Sequence, residues 1–210
     1  LAEGKEIQGS FYQSLPAIAE VTQQYRDGHH FFHWPLELPD VFGPEATGGF
    51  SGTVGNPPWD IVKPNSQEFF SNYDKDFRSY KKQEANRASK ELMEKNPTIA
   101  ARWDLYCRRI GEQSTYYRGP DSYTSLGKGD INTYKLFLER FFRVLHDTGR
   151  MGIVVPSGIY TDQGCQPLRE MFFEKSRIEF LYGFENRKAI FNIHRSFKFV
   201  LFGTQKGEET

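Results

Sequence analysis

Residues Gly55-Asn56-Pro57-Pro58-Trp59-Asp60 combine acceptors, rigidity and a large aromatic face within one short stretch. A planar amine attached to a heteroaromatic ring is a weak nucleophile because its lone pair is delocalised. Two fixed acceptors on its hydrogens favour the charge that builds on nitrogen as it attacks a methyl sulfonium, and preorganised polar groups of this kind are a major source of catalysis. Asn56 offers a side-chain carbonyl and Pro57 a backbone carbonyl. Pro57 and Pro58 fix φ, remove two backbone donors and push Asn56 out of the helical region. Trp59 adds a π-face on which a base drawn out of its stack could rest. A bare Asn-Pro-Pro also reads as a stiff turn beside a core tryptophan. The strand-like residues before it, the aromatic residue after it and the α/β pattern beyond favour the chemical reading.

Gly48-Gly49 reads as a turn and Phe50 to Val54 as a short strand, so the hexapeptide falls at the carboxyl end of a strand, where open α/β sheets place their ligands. Residues 61–129 turn polar and helical, with Phe69, Phe70, Tyr73 and Phe77, a charged run from Arg78 to Lys95, and then Ile99, Trp103, Leu105 and Tyr106. That is far longer than an ordinary crossover, and an insertion or lid is expected there. Asp130 to His146 has the strongest helical spacing, with Asp130 as cap and Ile131, Tyr134, Phe137, Leu138, Phe141, Phe142 and Leu145 on one face. A turn at Asp147-Thr148-Gly149 and a buried strand from Met151 to Pro156 follow. Gln166 to Lys175 reads as a helix, and Ile178 to Gly183 and Ser196 to Phe202 as strands that pair near the end of the sheet. Upstream, Leu15, Ile18 and Val21 carry weak helical spacing, His29 to Pro39 reads as an extended segment broken by prolines, and Val41 and Phe42 are expected against the core.

The chain has 210 residues, 38% of them hydrophobic and 16% aromatic, which suits a packed core and excludes disorder. Lys plus Arg and Asp plus Glu are both 27, so no global field draws in a polyanion and any contact with DNA must rest on local clusters. Three such clusters stand out: Arg78, Lys81, Lys82, Arg87 and Lys90; Arg108, Arg109 and Arg118 with Tyr116 and Tyr117; and Arg187, Lys188 and Arg195 with Phe191 and Asn192. The first reads as a solvated helix face balanced by Glu84, Glu91 and Glu94. Cys107 and Cys165 have no paired spacing and read as reduced and structural; His29, His30, His33 and His194 match no zinc pattern, and no metal is expected. No apolar run approaches the roughly 20 residues that cross a bilayer, and a cytoplasmic location is expected.

The order of segments resembles the class I S-adenosylmethionine-dependent DNA methyltransferases that modify adenine at N6. It looks most like the large methylase subunits and fused polypeptides of bacterial restriction and phage-defence systems. The resemblance is carried by Phe31-Phe32-His33-Trp34-Pro35-Leu36-Glu37-Leu38-Pro39-Asp40-Val41-Phe42, by Gly48-Gly49-Phe50 leading into Val54-Gly55-Asn56-Pro57-Pro58-Trp59, by Tyr134-Lys135-Leu136-Phe137, and by Gly149-Arg150-Met151-Gly152-Ile153-Val154-Val155-Pro156-Ser157. It implies a partial Rossmann-like α/β sheet with helices on its faces, with residues 1–210 the C-terminal part of a catalytic domain and 61–129 an insertion. It further implies that Asn56, Pro57, Pro58 and Trp59 hold the target base, that Asp130, Ile131 and Tyr134 line the S-adenosyl-L-methionine pocket, and that the loop between the last two strands lies near the base. The implied partners are double-stranded DNA and other restriction or defence subunits. Two departures stand out. Ser51-Gly52 replaces the acidic residue expected after the strand phenylalanine, and no glycine-rich cofactor loop is present. Rival readings are a non-catalytic DNA-binding or assembly fragment, and methylation of another planar amine: cytosine N4, RNA adenine or a protein glutamine.

Overall fold

A computed structural model of the chain describes residues 32–46 and 48–207. They fall into two units that divide after Gly48. In the first, prolines open helices instead of interrupting a strand. Helix α1 spans Trp34–Glu37 and α2 spans Pro39–Phe42, each with proline in its first turn. A fixed φ and a missing N–H cost nothing where the helix has no partner for that N–H. The extended reading of this stretch is therefore corrected. Val41 and Phe42 are half-buried and outside the core clusters, with the Phe42 ring 5.4 Å from Trp34. The helical spacing at Leu15, Ile18 and Val21, and His29 to Phe31, lie outside the described residues.

The second unit is a mixed α/β fold, the class expected from the sequence. Its strands are β1 (Phe50–Gly55), β2 (Leu145–Pro156), β3 (Ser176–Glu185) and β4 (Lys198–Lys206), in the order β1-β2-β4-β3. β1 and β2 are parallel, and β4 runs antiparallel between β2 and β3. The last two strands thus pair at one end of the sheet, as their spacing suggested. Helix α6 spans Thr133–Arg143, three residues short of the expected end at His146, and its N-cap is Asn132, not Asp130. The turn expected at Asp147-Thr148-Gly149 survives inside β2 as a break in register. Phe50 pairs with Leu145 but Gly52 with Arg150, because Gly149 packs so closely that a Cβ there would lie 2.7 Å from the Phe50 carbonyl oxygen.

Tyr134, Leu138 and Phe142 of α6 pack with Met151, Ile153 and Val155 of β2, and with Leu168 and Phe172 of helix α8 (Gln166–Lys175), which has the bounds the sequence predicts. Between β2 and α8 lies the short helix α7 (Gly158–Thr161). Gly203 in β4 packs against the Phe180 ring, and a Cβ there would fall 2.2 Å from that ring unless the ring moved. Gly203→Ala is expected to cost about 1–3 kcal/mol as an overpacked site. Thermal unfolding checks this, and an unchanged midpoint would show that the Phe180 ring yields freely.

Between β1 and α6, helices α3 (Ser66–Phe70), α4 (Lys82–Lys95) and α5 (Pro97–Tyr117) enclose their own small core of Phe70, Phe77, Ala85 and Ile99. Asn65 and Asn96 cap α3 and α5 through the backbone N–H groups of Glu68 and Thr98. A third cluster, Leu126, Ile131 and Leu136 packed with Val62, Tyr117 and Tyr123, joins this segment to α6. Arg87 pairs with Glu91 at 2.9 Å on the exposed side of α4. Among the described residues, no helix is long and apolar enough to cross a membrane.

Candidate active site

β1 delivers Asn56 immediately beyond Gly55, which pairs with Ile153 of β2. The corner therefore sits where two parallel strands end side by side. Two prolines cannot extend the ladder, so the chain leaves the sheet here. It is then caught by the segment that starts α6. The Asp60 carbonyl accepts from the Thr133 N–H at 2.8 Å, and Val62 N–H donates to the Ile131 carbonyl at 2.8 Å. The Thr133 hydroxyl donates to the Pro58 carbonyl at 2.6 Å and accepts from the Asp60 N–H at 3.0 Å.

Asn56 is exposed, and its side chain makes no hydrogen bond to any described residue. Pro57 is buried, yet its carbonyl accepts nothing from the described residues, in contrast to that of Pro58. Trp59 is half-buried, and its Nε1–H donates to the Val154 carbonyl at 3.3 Å, which fixes the plane of the indole. Phe197 lies parallel to it at 5.7 Å and 12°, and Phe191 edge-on at 5.2 Å. Trp59 thus packs against the core while part of its ring stays exposed. Two clefts meet at Trp59. One, of about 710 Å³, is lined by Asp60 to Glu68, Tyr106, Ile110, Gln113, Tyr117 and Thr133. The other, of about 550 Å³, is lined by Tyr134, Pro156, Ser157, Asp162, His194, Phe197 and Lys198.

The three residues expected along the cofactor pocket face different surroundings, and Tyr134 lines the second of these clefts. Asp130 is exposed and pairs with Lys63 at 3.2 Å. Ile131 is buried in the cluster with Leu126 and Leu136. Tyr134 is buried on the α6 face, where burial and the bond to Cys165 Sγ at 3.2 Å push its hydroxyl pKa well above the usual tyrosine range. Only Asp130 presents a polar group to solvent, so these residues fit S-adenosyl-L-methionine in part. Cys165 is buried and Cys107 half-buried, both as free thiols. Among the described residues, no group of three or more His, Cys, Asp or Glu is placed to hold a metal.

Thr133, Phe197 and Asn186 were not singled out by sequence reasoning. Nothing local marks them, since each acts on residues brought close only by the fold. Thr133→Val keeps the shape and deletes the bond to Pro58. It is expected to cost about 1 kcal/mol in stability and to lower any reaction at the corner disproportionately. Equal losses in unfolding midpoint and turnover would reduce Thr133 to a structural residue.

Residues 106–191 match the family model of the Eco57I restriction-modification methylases. Over these residues the chain is similar to the restriction-modification methylases. The methylase match covers less than half of the chain; it includes α6, β2 and β3 but not the corner at Asn56. No curated protein matches. A crystal structure from Listeria monocytogenes, of a protein proposed to be a class I S-adenosylmethionine-dependent methyltransferase, aligns at 17% identity and a TM-score of 0.32, covering 39% of this chain. The chain spans 24% of the length of that protein.

Proposed function

We propose that the protein is part of a DNA adenine-N6 methyltransferase of a restriction-modification or phage-defence system, transferring methyl from S-adenosyl-L-methionine to the exocyclic amine of an extruded adenine. The observation that carries this reading is a pair of acceptors without a partner among the described residues, Asn56 Oδ1 and the Pro57 carbonyl, beside the anchored indole of Trp59. The Pro58 carbonyl and the Asp60 N–H and carbonyl are already engaged by Thr133. Asn56 Oδ1 and the Pro57 carbonyl are a pair of the kind a planar amine needs. Phe197 and Phe199 already lie against the indole at 5.7 and 6.4 Å, so the target ring meets the part of Trp59 that these rings leave exposed. The amine proton leaves after the nitrogen has been methylated and has become acidic. On this reading the helical residues 61–129 are an insertion between β1 and β2, and double-stranded DNA and further restriction or defence subunits are the partners.

The test is transfer of labelled methyl to unmethylated DNA, followed by digestion to identify the nucleoside. N6-methyladenine that disappears with Asn56→Ala supports the assignment. N4-methylcytosine would move the chemistry to another amine. A second reading, a non-catalytic DNA-binding or assembly fragment, is favoured by the burial of Ile131 and Tyr134. Calorimetric titration with S-adenosyl-L-methionine separates the two, since that reading requires no binding.

A further inference from the structure

The segment joining β3 to β4 is unusual in charge and in construction. From Glu185 to Lys198 it holds four cations, Arg187, Lys188, Arg195 and Lys198, against one carboxylate, in a chain whose total charge is zero. Glu185 holds Arg187 at 2.7 Å. Lys188, Arg195 and Lys198 are exposed and have no partner among the described residues. Three unpaired cations on one short loop are a local positive field without an internal counter-charge.

The loop is also preformed. Asn186 is completely buried, and its amide satisfies three main-chain groups of the loop. It donates to the carbonyls of Phe191 at 2.9 Å and Ile193 at 3.1 Å and accepts from the Phe191 N–H at 3.0 Å. Its own N–H donates to the Phe197 carbonyl at 2.9 Å. The Asn186 side chain therefore fixes the main chain at Phe191, and its backbone N–H ties down Phe197, two of the aromatic residues that face Trp59. Ala189 takes a left-handed conformation at φ 53° to complete the turn, a strain that persists only where the surroundings impose it.

We infer that this loop is a clamp for a DNA strand, in which Asn186 is the positioning residue that holds the aromatic side against Trp59 while Lys188, Arg195 and Lys198 meet the phosphodiester backbone. The clamp rests on the reading of the corner as a base site and gives a chain of zero net charge a place beside that corner where polyanion binding is favourable. The cations carry no sequence information, since phosphate contacts set position and register only.

The test is binding of a fluorescein-labelled 30-base-pair DNA duplex by the full chain across a range of salt concentrations. Each phosphate contact contributes about 0.9 to the slope of log K against log salt, so changing Lys188, Arg195 and Lys198 together to Gln should lower the slope by roughly 2.7. Asn186→Ala should weaken binding roughly tenfold (about 1.4 kcal/mol) and change Trp59 emission, and Asn186→Asp, whose carboxylate cannot donate to the Phe191 and Ile193 carbonyls, should recover none of the affinity. An unchanged slope, no binding by the unaltered chain at low salt, or equal competition by poly-glutamate would each overturn the clamp. Wild-type affinity in Asn186→Ala would overturn its positioning role. None of these measurements needs a methyl donor, so a failed methyl-transfer assay beside an altered slope would reject the proposed chemistry and leave the clamp standing.

Discussion

Asn56→Ala should lower the turnover of methyl transfer by at least about a hundredfold, the loss typical when one preorganised polar group is removed from a transition state, and leave the unfolding midpoint nearly unchanged. The two halves of this result come from one observation. Asn56 is exposed and makes no hydrogen bond to the described residues, so its side chain adds little to folding, and surface changes of this type stay within about 0.5 kcal/mol. Its amide carbonyl is on offer to a substrate, and its conformation is set by the following proline and not by its own contacts. Asn56→Asp keeps an acceptor in the same place and should retain more transfer than the alanine variant. Steady-state kinetics on the active protein together with calorimetry of each variant decide the matter. A midpoint that falls with activity would mean that Asn56 supports the fold, and full turnover in Asn56→Ala would remove it from the chemistry.

Glu139→Ala should be the most destabilising single substitution outside the apolar core. The Glu139 carboxylate is completely buried on α6. It accepts from the backbone N–H groups of Thr124 at 2.8 Å and Ser125 at 2.9 Å, from the Thr124 hydroxyl at 3.3 Å, and from Arg143 one turn along. Arg143 in turn donates to the Ser122 carbonyl at 2.6 Å. Together the two side chains pin the stretch from Ser122 to Ser125 to the helix, and that stretch leads into Leu126, which packs on Ile131 and Leu136. Alanine leaves the buried Ser125 N–H and the part-buried Thr124 N–H without partners and a half-exposed arginine without its carboxylate. Leaving such donors unsatisfied costs about 1–3 kcal/mol each. For a protein of this size that lowers the midpoint on the order of 10 °C. Glu139→Gln keeps one acceptor and should fall between wild type and alanine. A shift below about 2 °C, less than 1 kcal/mol at this size, would show that water enters to replace the carboxylate.

Much of the sheet was legible in the sequence because its signals are local. The apolar run from Met151 to Pro156 and the spacing of Leu168, Met171 and Phe172 each report burial directly. Helix α8 and the antiparallel pairing of β3 with β4 follow from such runs. Prolines misled where the same chemistry serves two structures. In Trp34 to Phe42 they stand at helix starts, and a fixed φ near the helical value is as compatible with a first turn as with a broken strand. Asp130 misled for a related reason. A capping side chain can be drawn away by a distant cation, here Lys63, and Asn132 then occupies the boundary.

The sequence by itself determined the acceptor-rich corner. Asn56, Pro57, Pro58 and Trp59 are consecutive, and proline stiffness, a free amide and an aromatic ring are properties of those residues wherever they stand. Tertiary structure decided which of the corner's acceptors stay free and what faces the indole. Thr133 takes the Pro58 carbonyl from 75 positions away, Val154 anchors Trp59 from 95 positions away, and Asn186 sets the ring of Phe191 against it. Such partners leave no trace in local spacing, because hydrogen bonds between remote segments depend on strand register and helix placement that only the folded chain establishes.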